Sequence, residues 1–287
     1  MTERVALVSS ERGLQVDPDL PLASAALRDA GHEVDLVRWD DETVDWDAFA
    51  LAVVRSCWDY AWRLEEFLSW AGSVPRLRNG VELLRWNTDK TYLRDLEKAG
   101  LPVVPTLWNP VRADELPDSG EWVVKPSISA GSRDTARWSE PSAALAHVAE
   151  LTLAGRTAML QPYLASVDAA GETAMLFIGG HFSHAVRKGQ LLYRGEGVRQ
   201  DRDSRGDLRR AEPTTAQREV ADAVFDAIGQ LVPEGPRPLY ARIDLVHDAA
   251  GRPVVLELEL AEPSLFLPQA PEAAATLARA VEAELRG

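Results

Sequence analysis

The stretch LYARIDLVHDAAGRPVVLELELAEPSLF, residues 239–266, places Asp244, Glu257 and Glu259 among residues that otherwise read as core. Two runs rich in Val, Leu and Ile flank DAAGR, which is the pattern of two strands joined by a Gly-containing turn. A two-residue turn at Ala250-Gly251 or a four-residue loop over Ala249 to Arg252 sets the same register. Either sets Asp244 opposite Glu257 and Arg242 opposite Glu259. Because alternate residues of a strand share a face, these four charged side chains project from one side of the hairpin. Ala241, Ile243, Leu258 and Leu260 fill the other.

Opposed carboxylates repel across a sheet, and burial without a counter-charge is costly. Arg242 serves one acid, and the remaining negative charge suits a divalent metal. An oxygen-only donor set without His or Cys favours Mg2+ or Mn2+ over Zn2+. Mg2+ commonly completes its shell with phosphate oxygens, so the expected ligand carries phosphate. The alternative is an edge hairpin whose acids face water. A retaining glycosidase also needs two carboxylates about 5 Å apart, which the opposed pair Asp244 and Glu257 would satisfy.

The 287-residue chain has a formal net charge of -14, which argues against a nucleic-acid or anionic-membrane partner. An anionic ligand must therefore meet a local cluster of basic residues. The single cysteine, Cys57, excludes an internal disulfide and fits a reducing compartment. The opening MTERVALVSSERG lacks the apolar run of a signal peptide, and no segment reaches the ~20 apolar residues of a membrane span. The expected location is cytoplasmic.

Residues 4 to 85 alternate strand and helix through RVALVSS, LPLASAALRDAG, EVDLVRW, AFALAVVRS and RLEEFLSWAG, a βαβαβ order that implies a parallel sheet with covering helices. A helix is expected from Asn87 or Thr88 to Gly100, which sets Lys90 in its first turn near the positive end of the helix dipole. An α+β unit follows over 103–164. ETAMLFIGGHFSHAV then reads as a hairpin turning at Gly179-Gly180, and the polar segment 188–213 reads as a long surface loop. Two helices, TTAQREVADAVFDAIGQLV and APEAAATLARAVEAEL, flank the opening hairpin.

Lys125 ends the apolar run WVVK and precedes PSISAGSR, whose small residues let backbone N–H groups approach a phosphate. Together with Lys90 and the acids of the hairpin, this points to a nucleoside triphosphate. No P-loop signature and no G-x-G-x-x-G after the first strand is present, nor is there a G-x-S-x-G. His181 and His184 are close enough in sequence to share a metal, although strand residues are the simpler reading.

The ordered set WNTDKTYL, VVKPSISAGS, LQPYL, GE at 171–172, RID at 242–244 and ELE at 257–259 resembles the ATP-grasp superfamily over nearly the whole chain. RSCWDY at 55–60, WNTDK and ELELAEPSLF are most similar to the branch holding the cycloserine-forming, O-ureido-serine type cyclo-ligase. The resemblance implies a parallel α/β domain over 1–87, a central lid subdomain over 88–162 and an antiparallel C-terminal subdomain with the metal site over 163–287. It implies that Lys90, Lys125 and Ser132, the last in a closing loop over 127–135, hold ATP phosphates. Gln161, Tyr163 and Leu164 would border adenine, and Glu172 would bind ribose. Asp244, Glu257 and Glu259 would hold Mg2+, with Glu259 where the superfamily commonly has Asn. Arg242 would stabilise a tetrahedral intermediate and Arg199 the transferring phosphate.

The implied activity is an ATP-dependent carboxylate-amine ligase. It would pass through an acyl phosphate, release ADP and phosphate, and act on a small amino-acid-like substrate, with cyclisation where both groups belong to one molecule. A phosphotransferase and a non-catalytic ATP-binding module are the alternatives. A homodimer is a further expectation of the resemblance. Substrate choice is expected from Arg55, Ser56 and Asp59, at the carboxyl end of a parallel strand.

Overall fold

Arg4–Ser9 (β1) is buried from Val5 onward and lies inside a parallel sheet in the computed structural model, which describes residues 2–200, 207–235 and 237–287. Glu11–Val16 (α1) and Asp19–Asp29 (α2) lead to Glu33–Arg38 (β2), then Leu51–Val54 (β3), Leu64–Ser73 (α3) and Leu77–Arg78 (β4), in the order β2-β1-β3-β4. The parallel sheet is the one expected, with α1 and β4 added to it.

Val81–Asn87 (α4) and Tyr92–Lys98 (α5) replace the single helix expected from Asn87 onward. Lys90 lies in the turn between them and not in a first helical turn. The reason is local. The Asn87 amide donates to Leu258 O (2.9 Å) and accepts from Leu260 N (2.6 Å), so its side chain serves a neighbouring strand and not a helix cap. Asp89 instead accepts from Thr91 N at 2.9 Å and starts α5.

Leu107–Trp108 (β5), Trp122–Pro126 (β6), Ala136–Trp138 (β7), Pro141–Leu153 (α6) and Ala158–Pro162 (β8) form an antiparallel sheet in the order β5-β8-β6-β7. Its core packs Val148 and Leu151 of α6 against Val124 and Leu160. The third sheet follows Ser166–Ala170 (α7). It comprises Glu172–Ile178 (β9), His181–Lys188 (β10), Leu208–Ala211 (β11), Tyr240–His247 (β12) and Pro253–Glu259 (β13), ordered β11-β10-β9-β12-β13. Thr215–Leu231 (α8) starts with a capping box between Thr214 and Gln217, and Glu272–Arg286 (α9) ends the chain.

One face of the third sheet packs Met175, Phe177, Ala241, Ile243 and Leu258 against Phe225 of α8 and Leu93 and Leu96 of α5. The opposite face begins as core, where Leu176, Ile178 and Tyr240 join Val5 and Leu7 of the first sheet, Leu20 of α2, and Leu277 and Val281 of α9. Helix α9 thus binds the last part of the chain to the first. Farther along the same face the residues become charged and the site begins. Among the described residues no helix is long and apolar enough to cross a membrane.

The decisive hairpin pairs Arg242 with Glu259 and Asp244 with Glu257, as expected, but its turn differs. Asp248 N donates to Arg252 O and Gly251 N to Asp248 O, both at 2.9 Å, around the three-residue loop Ala249–Gly251, with Gly251 at φ 77°. A β-bulge between Asp244 and Leu245, opposite Leu256, restores the register at the acids. The hairpin at Gly179-Gly180 is found where expected, both glycines having positive φ. The segment 188–213 is not all loop: Lys188 ends β10 and Leu208–Ala211 pairs with it. Residues 201–206 of that expected loop lie outside the described residues.

Candidate active site

A cavity of about 550 Å³ opens against the charged face of the third sheet. Lys90, Lys125, Ser132, Gln161, Tyr163, Leu164, Glu172, Arg242, Glu257 and Glu259 all line it. Residues separated by as much as 169 positions are brought together because β9, β12 and β13 are neighbours, while β6 and β8 form the facing wall.

The three acids of the hairpin each offer a carboxylate oxygen, and these oxygens lie within 4.8 Å of one another. Such a compact set of hard donors, with no His or Cys among it, fits Mg2+ or Mn2+. Cations surround it. Arg242 donates to Asp244 at 3.0 Å and to Glu259, and Lys125 Nζ meets Glu257 at 2.6 Å. Lys188 Nζ lies 2.6 Å from Glu172 and 2.7 Å from Asp244.

The environments of the acids differ. For Glu257, burial pushes the pKa upward, but the Lys125 and Lys90 charges prevail and hold it far below the usual carboxylate range. For Asp244, burial is likewise outweighed, by Arg242 and Lys188. Glu259 is raised, because burial and the charges of Asp244 and Glu257 exceed the help from Arg242. The position where the superfamily commonly has a neutral side chain is therefore the one whose charge is least secured.

The loop after β6 is held from several sides. Lys90 N donates to Ser127 O (2.9 Å), and its Nζ donates to Ser129 O (2.9 Å). Asp134 N donates to Arg199 O (2.8 Å) and Arg199 N to Thr135 O (3.0 Å). Gly131, Ser132 and Asp134 all have positive φ, a tight backbone path that turns N–H groups away from regular pairing. The Arg199 guanidinium donates to Leu191 O and lies 3.6 Å from Glu196, so its side chain is placed beside the loop and outside the cavity lining.

At one end of the cavity Val104, Val246, Leu164, Val167 and Leu256 form an apolar patch beside Gln161 and Tyr163. The bulge helps here, because it lets Leu256 face the cavity together with Glu257. Gln161 donates to Thr106 Oγ1 at 2.9 Å, and Tyr163 OH donates to Asp168 at 2.5 Å while Arg137 stacks 3.4 Å from its ring centroid.

Arg55, Ser56 and Asp59 are not among the lining residues. Arg55 donates to Pro263 O (2.9 Å), Ser56 bonds Ser9 Oγ (2.6 Å) and Asp59 accepts from Trp39 Nε1 (2.9 Å). Their neighbours Trp58 and Tyr60 reach the cavity instead. His184 bonds Leu265 O and Ser183 Oγ, which occupies both ring nitrogens and leaves no shared metal with His181. Lys188 was hidden in sequence by the polar segment that follows it. Strand alternation from Val186, which is buried on the same face, is the signal that finds it.

Three sheets with a triphosphate-sized cavity between the second and third, lysines on one wall and a carboxylate cluster on the other, define an ATP-grasp ligase. The ATP-grasp ligase PsnB, complexed with its minimal precursor, Mg and ADP, has the same fold, with a TM-score of 0.64 at 19% identity over 99% of this chain and 98% of that one. The family model described as D-cycloserine synthetase DcsG, N-terminal domain, matches residues 5–84. The cycloserine biosynthesis protein DcsG of Streptomyces lavendulae is 37% identical over 98% of this chain and 99% of its own length. The crystal structure of D-cycloserine synthetase DcsG has a TM-score of 0.90 at 36% identity, covering 98% of this chain and 99% of that one. The chain belongs to the DcsG family of ATP-grasp ligases, enzymes that form C–N bonds.

Proposed function

We propose that the protein uses Mg-ATP to activate the carboxylate of a small amino-acid-like substrate as an acyl phosphate. An amine then captures the acyl group, and ADP and phosphate leave. The relatives' link to cycloserine, by name a cyclised serine, favours an amine in the same molecule and hence ring closure. The observation that carries this reading is the set of three carboxylates within 4.8 Å of one another, two of which, Glu257 and Glu259, line one cavity with Lys90 and Lys125.

Asp244, Glu257 and Glu259 would hold the metal, which when bound supplies Lewis-acid stabilisation of phosphate charge. Mg2+ is preferred, and Mn2+ has the same donor chemistry. Lys90 and Lys125 spread the charge of the phosphates, and Ser132 with its loop covers them and excludes water. The apolar patch beside Gln161, Tyr163 and Leu164 takes adenine, and Glu172 takes ribose hydroxyls. Arg242 offers its guanidinium to the oxyanion formed as the amine attacks, an effect of about 3 kcal/mol in comparable sites. Arg199 is proposed to act on phosphate through the loop it braces. A division at 1–87, 88–162 and 163–287 is supported by one sheet in each part.

The test is product analysis with Mg-ATP, a panel of amino-acid and ureido-amino-acid substrates, and hydroxylamine as an acyl trap. ADP, phosphate and a hydroxamate are expected. AMP and pyrophosphate would overturn the reading, and a stable phosphorylated product insensitive to hydroxylamine would favour a phosphotransferase.

A further inference from the structure

The loop after β6 has two halves that the fold treats differently. Residues 127–130 are seated. Ser127 N donates to Thr157 O (2.8 Å), and Tyr60 OH donates to Ser129 O (3.4 Å). Ile128 and Ala130, the latter only 6% exposed, pack into the core around β3 with Val54, Tyr60 and Phe67. Residues 131–134 are half-buried or exposed, and within them Ser132 lines the cavity while Arg133 does not.

This tip is strained. Ser132 and Asp134 have φ of 58° and 55°, a left-handed backbone that a residue with a Cβ keeps only where its surroundings hold it. Asp134 is held by Arg156 Nη1, which donates to its carboxylate at 2.7 Å, and by its backbone bond to Arg199. Between the two strained residues, Arg133 reaches across to the first sheet's side of the molecule. Its guanidinium lies 5.0 Å from the ring centroid of Trp62, at the end of the 3-10 turn Trp58–Trp62, and its Nε is buried without a hydrogen-bond partner among the described residues. Trp62 is the most exposed of the nine tryptophans, at 49%, and it too lies outside the cavity lining.

We propose that Trp62 and Arg133 form a latch that holds the loop tip, residues 131–134, closed over the nucleotide phosphates, with the seated half 127–130 as its fixed base; the inference rests on the ligase reading and deepens it. Both are positioning residues, which act on phosphate through Ser132. A guanidinium over an indole face is held electrostatically, and at a partly exposed site that attraction is weak enough to break and re-form in each turnover. The seated half is packed too deeply to follow such a movement. Because the closed backbone at Ser132 and Asp134 is strained, the tip relaxes outward when the contact at Arg133 is lost. The latch therefore governs how fast ADP leaves.

The test is release of Mg-ADP, followed by stopped flow with the N-methylanthraniloyl derivative of ADP as probe and unlabelled ATP as the chase. Trp62→Ala and Arg133→Ala should each speed release about two- to fivefold, the worth of one partly exposed cation–π pair. Trp62→Phe and Arg133→Lys keep a ring and a charge and should match wild type, which also shows that the positions tolerate change. The double alanine variant should be no faster than the faster single one, because both remove the same contact. Amide exchange at residues 131–134 should rise in the alanine variants while 127–130 stays as in wild type. Unchanged release in either alanine variant, a double variant whose acceleration is the product of the two, or exchange that rises equally in both halves overturns the inference. A wild type that binds no Mg-ADP would instead overturn the ligase reading itself.

Discussion

Arg55 and Asp19 lie 3.7 Å apart with side chains only 1% exposed, and both hold the loop that follows β13. Arg55 donates to Pro263 O, while the Asp19 carboxylate accepts from Leu265 N (2.6 Å) and Leu267 N (2.8 Å). Arg55 Nε and Nη1 have no hydrogen-bond partner among the described residues, and the guanidinium lies 4.8 Å from the ring centroid of Tyr240. Burial raises the Asp19 pKa and the Asp17 charge adds to this, with Arg55 opposing both. Arg55, expected from the sequence to act in substrate choice, instead braces the backbone of the loop that follows β13.

Arg55→Met should leave Asp19 as an uncompensated buried charge. Loss of one partner of a buried pair costs about 3–5 kcal/mol, which a urea denaturation series would measure. Because the loop loses an anchor, KM for the amino-acid substrate should rise more than KM for ATP. An unchanged denaturation midpoint would mean that the Asp19 interactions with Leu265 and Leu267 suffice alone.

Lys188 invites a different separation. It joins Glu172, the proposed ribose ligand, to Asp244, a proposed metal ligand. Burial disfavours its charge, yet Asp244 and Glu172 more than compensate and hold it protonated. In Lys188→Met the carboxylate cluster becomes more negative, so affinity for Mn2+ alone, read by electron paramagnetic resonance, should hold or increase. Mg-ATP affinity should fall about tenfold, roughly 1.4 kcal/mol, because Glu172 loses the partner that orients it. A parallel loss of metal and nucleotide would show that Lys188 supports the cluster as a whole.

The history of Lys188 shows what was readable in the chain. Strict alternation on β12 and β13 made the charged face and its apolar reverse legible, and the motif order around Lys90 and Lys125 made the cavity legible. Alternation is a local property of a strand, so it survives errors elsewhere. The three-residue turn differs by one residue from either turn the local pattern allows, and a bulge at Leu256 that no local pattern announces compensates for it. Other features depend on partners far away in sequence. Asn87 looked like a helix cap but serves Leu258 and Leu260. Arg55 looked like a binding residue but serves Pro263. Lys188 fell at the edge of a polar run whose composition masked its strand.

Two buried histidines give the protein a defined acid sensitivity. His184 bonds Leu265 O at 2.8 Å, and His147 Nδ1 accepts from Trp138 Nε1 at 3.1 Å. Burial pushes the pKa of each below the ordinary imidazole value of 6.5. Between that value and the lower folded one, the unfolded chain binds protons that the folded chain does not. Their contribution is therefore fully present above pH 6.5 and is lost as pH falls through the folded values. Protonation of His147 at Nδ1 also removes the acceptor that Trp138 uses. Thermal midpoints should fall between pH 7.5 and pH 5.5, and the fall should be smaller in His147→Gln, whose amide oxygen still accepts from Trp138 without titrating. An identical fall in wild type and variant would assign the acid sensitivity to other groups, and the same comparison on His184→Gln would then show whether that histidine carries it.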